Sequence, residues 1–129
     1  MPSKAVDKAF ADFLSGELET SVHHERVPKG AKPEYVVLTQ TGYELPETYQ
    51  LGAEAGLTSV DCTIYARSPE LADPIRRAVK KAAKRFRGAQ GDYKVTATRL
   101  TGDSAGGIDD ATGVYTYTIS AEIDYTEVN

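Results

Sequence analysis

Several groups of side chains in this sequence are of types that could do chemistry. Gly102-Asp103-Ser104-Ala105-Gly106-Gly107 sets a serine among glycines beside an aspartate, the order of a nucleophile loop. Such a loop needs contiguous glycines that aim backbone N–H groups at an oxyanion, and Ala105 interrupts them. Its general base would have to be His23 or His24, the only histidines, in a chain too short for a two-barrel hydrolase. Those two histidines could begin a metal site. Adjacent residues rarely ligate one ion, however, and no cysteine or third histidine follows at ligand spacing. Asp103, Asp109 and Asp110 lie close together and could hold a hard cation. Their spacing is not that of a calcium-binding loop and no glutamate closes the shell, so they read as turn formers. Cys62 is the single cysteine, which excludes an internal disulfide and a thiolate cluster within one chain. It alternates with polar neighbours and reads as a small buried hydrophobe. No glycine-rich segment has the lysine and strand-to-helix context of a phosphate loop. The expectation is a chain without catalytic residues, cofactor or metal.

The strongest functional signal is charge. Fifteen basic and nineteen acidic residues give a net charge of −4. Seven of the basic residues (Arg76, Arg77, Lys80, Lys81, Lys84, Arg85 and Arg87) fall in one twelve-residue stretch that contains no acid. Setting those seven aside leaves eight basic against nineteen acidic residues, a net of −11. On a helix, Arg76, Lys80 and Lys84 form one row and Arg77, Lys81 and Arg85 a second, and like charges so spaced repel. Nucleic acid could offset that repulsion. Yet the rest of the chain is strongly acidic, tryptophan is absent and no aromatic alternates with the cations to stack bases. An acidic surface on another copy of the chain fits the charge better. A nucleic-acid-binding module that uses the same cations is the rival from a different class.

The elements that position these groups follow from periodicity. A first helix is predicted over Ser3 to Leu14, with Val6, Phe10, Phe13 and Leu14 on one face, Ser3 as cap and Gly16 as stop. Residues 17–34 are polar, carry Pro28, Gly30 and Pro33, and read as a surface connection. Tyr35 to Thr39 reads as a strand. The stretch from Gly42 to Gly56 is either a loop or an extension of the flanking strands. Its Tyr43, Leu45, Tyr49 and Leu51 lack a clean period and make a candidate contact surface. Val60, Cys62 and Ile64 alternate with polar residues as a half-buried strand. A strong helix ends at Arg87-Gly88, its start set by Ser68-Pro69 or by Asp73-Pro74. Tyr93 to Leu100 is a third strand, Thr101 to Thr112 a loop, and Val114 to Tyr125 a long alternating strand. That last strand would run about 40 Å and overhang its sheet.

The order α-β-β-α-β-β predicts an α+β domain: a two-layer, mostly antiparallel four-stranded sheet with two helices on one face. At 129 residues, 40% hydrophobic and 26% charged, the chain is expected to be one globular domain over 1–129. It has no apolar run of the ~20 residues needed to cross a bilayer. Met1-Pro2-Ser3-Lys4 leads into an amphipathic segment, so the expectation is a soluble protein of the cytoplasm.

Three segments carry a resemblance. They are "VPKGAKPEYVVLTQ" (Val27–Gln40), "TSVDCTIYARSPELADPIRRAVKKAAKRFRG" (Thr58–Gly88) and "DDATGVYTYTISAEIDY" (Asp109–Tyr125). In order and spacing the chain resembles the tail-completion, or tail-terminator, proteins of long-tailed bacteriophages and prophages. It departs from them in the basic helix and in the polar stretch Ser15 to Lys32. The resemblance implies a structural virion protein of the tail or neck, assembled in the host cytoplasm. It implies a homo-oligomeric ring, commonly a hexamer, that caps the tail tube, stops its elongation and joins it to the head. The partners implied are the tail tube protein and a head-completion protein, with no membrane and no specific nucleic acid. A head-side stopper or a tube subunit is the alternative within that class. On this reading the cations of 76–85, the Tyr43–Leu51 stretch and Asp103, Asp109 and Asp110 are candidate subunit contacts.

Overall fold

The computed structural model describes residues 5–44 and 55–127. Helix α1 (Val6–Glu17) turns Val6, Phe10, Ala11 and Leu14 inward, as the apolar spacing requires. It begins after Ala5, which makes no side-chain cap, and runs through Gly16 to end at Leu18. The expected cap, Ser3, lies outside the described residues. Helix α2 (Pro69–Arg85) resolves the ambiguity of its start: Ser68 Oγ accepts the Leu71 N–H at 3.2 Å, and Pro69 takes the first position. Pro74 therefore sits inside the helix, without the N–H that would bond the Glu70 carbonyl.

The sheet corrects the four-strand expectation. It has six strands, β1 (Ser21–His24), β2 (Tyr35–Glu44), β3 (Ala55–Ala66), β4 (Gly88–Gln90), β5 (Tyr93–Ile108) and β6 (Tyr115–Glu127), in the order β1-β2-β3-β6-β5-β4. It is mixed, because β1 lies parallel to β2 while every other pair is antiparallel. Residues 17–34 are thus not only a connection. Within them Ser21-Val22-His23-His24 pairs with Tyr35 to Leu38, although Val22 alone offers an apolar signal. The Gly42–Gly56 stretch extends its flanking strands, β2 reaching Glu44 and β3 starting at Ala55. Leu45, Tyr49 and Leu51 lie outside the described residues.

Two further expectations fail on β5. Thr101 to Ile108 is strand, not loop, and only Asp109 to Gly113 form the turn, closed by Gly113 N–H to Asp109 O at 2.7 Å. Three register shifts put one extra residue each, Thr96, Thr101 and Gly106, into β5 opposite β6. Such bulges bend a strand and break the alternation that a periodicity reading depends on. Nor does β6 overhang. It pairs with β3 from Tyr115 to Thr126 on one side and with β5 from Tyr115 to Glu127 on the other.

The core lies between the helices and one face of the sheet. Val36 and Leu38 of β2, Val60, Cys62 and Ile64 of β3, and Ile119, Ala121 and Ile123 of β6 are buried there. Phe86, at the end of α2, meets Phe10 and Phe13 of α1 with ring centroids 4.9 and 5.2 Å away, which locks the helices together. The opposite face is half-exposed and finds partners across strands. Tyr35 stacks on Tyr65 at 5.0 Å, Thr63 and Thr118 share a 3.2 Å hydrogen bond, and the Ser120 hydroxyl donates to Asp61 at 2.7 Å.

Candidate functional site

α2 presents the cations, and the fold neutralises several of them inside the chain. Asp73, one turn ahead of the row, takes Arg76 Nη2 at 2.5 Å and Arg77 Nη2 at 2.9 Å. Arg76 also lies 5.6 Å from the centre of the Tyr117 ring on β6, within cation–π range. Lys80 pairs with Asp103 on β5, and Arg85 with Glu17 of α1 at 3.2 Å. The charges act on the acids. The Arg76 hydrogen bond holds the Asp73 carboxyl below its ordinary range, and the Lys80 hydrogen bond does the same to Asp103. Lys81, Lys84 and Arg87 have no ion-pair partner among the described residues, and all three are exposed. Of the seven cations in the stretch, Arg76, Arg77, Lys80 and Arg85 are thus engaged within the chain.

The acids do not gather. Asp103 faces α2 from mid-strand, whereas Asp109 starts the β5–β6 turn, its carboxylate accepting the Ala111 N–H at 2.8 Å. Asp110 follows Asp109 on that exposed turn. Ser104 lies on a regular part of β5 opposite Thr118, remote from the β1 histidines across four intervening strand pairings. Cys62 is 1% exposed, and burial pushes its thiol up to about 12, so the small-hydrophobe reading describes its environment. The backbone of Tyr43 pairs with Thr58.

Sequence reasoning missed one cluster. Asp7, on the first turn of α1, is 5% exposed. Its Oδ2 lies 2.6 Å from His24 Nε2, and Glu25 Oε1 is 3.8 Å from the same nitrogen. These three could in principle offer ligands to one ion. Each is already engaged, since Asp7 and His24 bond each other and Glu25 accepts the Gln40 N–H at 3.1 Å. The cluster therefore ties α1 to β1 and β2. Finding it needed β1, which parts the two histidines: His24 turns toward α1, while His23 packs against Tyr35 with centroids 5.6 Å apart.

Two shallow grooves flank α2. One, about 260 Å³, is lined by Pro69, Ala72, Asp73, Arg76, Tyr115 and Tyr117. The other, about 220 Å³, runs between the end of α1 and Pro74, Ile75 and Ala78 of α2. Neither brings a nucleophile and a base together. No helix among the described residues is long and apolar enough to cross a membrane.

No family model and no curated protein matches the chain. Its fold does match a solved structure. A chain in the virion of a native gene transfer agent (GTA) particle superposes with a TM-score of 0.68 over 95% of both chains, at 11% sequence identity. At that identity the similarity establishes a shared fold over the whole length.

Proposed function

We propose that this chain is a non-catalytic structural component of a phage-like virion, and that it acts as a ring-forming tail terminator. In that role it caps the finished tail tube, ends tube growth and presents the surface that meets the head. The observation that carries the reading is the end-to-end fold match to a chain of a gene transfer agent virion. Two features support it independently. The grooves are shallow and hold no nucleophile–base pair, and the surface is split between a cationic helix and an acidic remainder. Unlike patches on one subunit favour heterologous contacts, which form a ring where the rotation between copies closes. The tail tube protein and a head-completion protein are the proposed partners, and the virion is the proposed location.

The test is addition of the purified chain to growing tubes of a tail tube protein from the same particle, followed by negative-stain imaging. The expected result is tubes of fixed length with added density at one end, able to join filled heads. Tubes that keep growing and heads that join equally well without the chain overturn the terminator role. DNA binding lost steeply with added salt would support the nucleic-acid reading instead.

A further inference from the structure

Three side chains of metal-ligating type converge where β1 ends beside α1. Asp7 stands on the first turn of α1, His24 is the last residue of β1, and Glu25 follows it. One oxygen of each carboxylate and one nitrogen of His24 all lie within 4.8 Å of one another. Asp7 is buried, yet its partner is an imidazole, and no lysine or arginine pairs with Asp7 or Glu25 among the described residues. Two carboxylates against one imidazole concentrate negative charge at a partly buried point, which is costly without a counter-charge. Glu25 is held there from two sides. Its N–H donates to the Leu38 carbonyl at 2.8 Å, and its Oε1 accepts the Gln40 N–H at 3.1 Å. Its backbone takes φ 68°, a left-handed conformation uncommon outside glycine, and strain of this kind gathers at ligand sites.

We propose that Asp7, His24 and Glu25 bind one divalent transition-metal ion of the zinc type. An imidazole nitrogen with two carboxylate oxygens suits such an ion better than calcium or magnesium, which take oxygen ligands. Ligand atoms about 2.0–2.2 Å from one ion stand roughly 3–3.5 Å apart. The 2.6 Å Nε2–Oδ2 pair must therefore open and the 3.8 Å Nε2–Oε1 pair close, each by less than about 1 Å. With Asp7 ionised, Nε2–H donates to Oδ2. The ion takes the place of that proton, which passes to Nδ1 or to solvent. The Gln40 N–H can stay on Oε1, because a carboxylate oxygen has a second lone pair, and it then steadies the ligand. Three protein ligands leave a position for water. The bound ion clamps α1 to the edge strand β1. His23 takes no part, since it packs on Tyr35.

The test is calorimetric titration of the whole chain, stripped of metal by a chelator, with zinc chloride and separately with magnesium chloride. The expected result is one zinc ion per chain, no magnesium binding, and a melting temperature that rises with zinc concentration. Glu25→Gln keeps the Asp7–His24 hydrogen bond, so the metal-free melting temperature should stay near that of the wild type. Its zinc affinity should fall at least about tenfold. His24→Ala should abolish binding, and His23→Ala should leave it unchanged. No zinc binding overturns the site. Binding that survives Glu25→Gln, or that His23→Ala removes, is adventitious surface binding and overturns it too. If the His24→Ala chain fails to fold, Glu25→Gln against His23→Ala decides the matter. Zinc binding without tube capping leaves the site standing while the terminator role fails, and capping without zinc binding does the reverse.

Discussion

Cys62 lies between Val60 and Ile64 along the core face of β3, and its thiol is pushed up to about 12 first by burial and then by neighbouring Asp61. The thiolate is the reactive form, so a thiol reagent at neutral pH should leave the folded chain nearly unlabelled. It should label one site per chain in denaturant, with a native-state rate that reports opening of the sheet. The folded state holds the thiol proton more tightly than the unfolded state does. Stability should therefore fall as pH rises from the ordinary thiol value of 9.0 toward about 12, less so in Cys62→Ala. Asp103 runs the other way. Lys80 lowers its pKa, so the pair's contribution is present above the ordinary carboxylate value of 3.8 and is lost as pH falls through the lower folded value. Thermal melts taken from neutral pH downward should show Asp103→Asn losing less stability below that value than the wild type does. Each effect vanishes if the thiol is open or the ion pair is absent. The Cys62 environment was legible from the 60–62–64 alternation alone. The Lys80–Asp103 pair was not, because it needs Asp103 on a strand beside α2, and the glycines around Asp103 read as loop.

That strand is where pattern and structure part. In β6 the alternation runs unbroken from Tyr115 to Tyr125, no register shift interrupts its own residues, and periodicity finds it. In β5 the three bulges reset the alternation every five residues, and an edge position leaves residues 101–108 exposed on both faces. No apolar stripe survives to be read. β1 and β4 are shorter than any periodicity window, and only tertiary pairing defines them. The helices were legible because their apolar positions repeat on one face, and the Ser68-Pro69 start was one of two that the sequence allowed. The bulges also explain a glycine. A Cβ added at Gly106 would collide with the Thr116 hydroxyl on β6, and Thr116 is a β-branched residue with little rotamer freedom. Gly106→Ala should therefore destabilise by about 1–3 kcal/mol, the usual range for overpacking. Thr116→Ala in the same chain should recover most of the loss. A double-mutant cycle by denaturant unfolding measures that coupling, and additive effects would mean that the bulge gives way instead.

At the scale of the whole molecule, the fold separates cations that serve the chain from cations left over. Asp73, Asp103 and Glu17 engage Arg76, Arg77, Lys80 and Arg85, so reversing any of these charges would disturb α2 as well as any partner. Lys81, Lys84 and Arg87 are the cleaner probe. They are exposed and unpaired among the described residues; Lys81 and Lys84 are carried by a helix whose opposite side is buried core, and Arg87 lies two residues past its end. Surface substitutions of this kind usually shift stability by no more than about 0.5 kcal/mol each. Partner contacts made through complementary potentials respond far more, in association rate and in salt dependence. The triple reversal Lys81→Glu, Lys84→Glu, Arg87→Glu should therefore keep the far-ultraviolet spectrum and nearly the wild-type melting temperature. On the proposed terminator role it should also abolish tube capping and head joining, with assembly of the unmodified chain weakening as salt is raised. Light-scattering mass and negative-stain counts of capped tubes read both results. If the reversed chain caps tubes as well as the wild type, the open cations are only a solvated face, and any assembly runs through other surfaces.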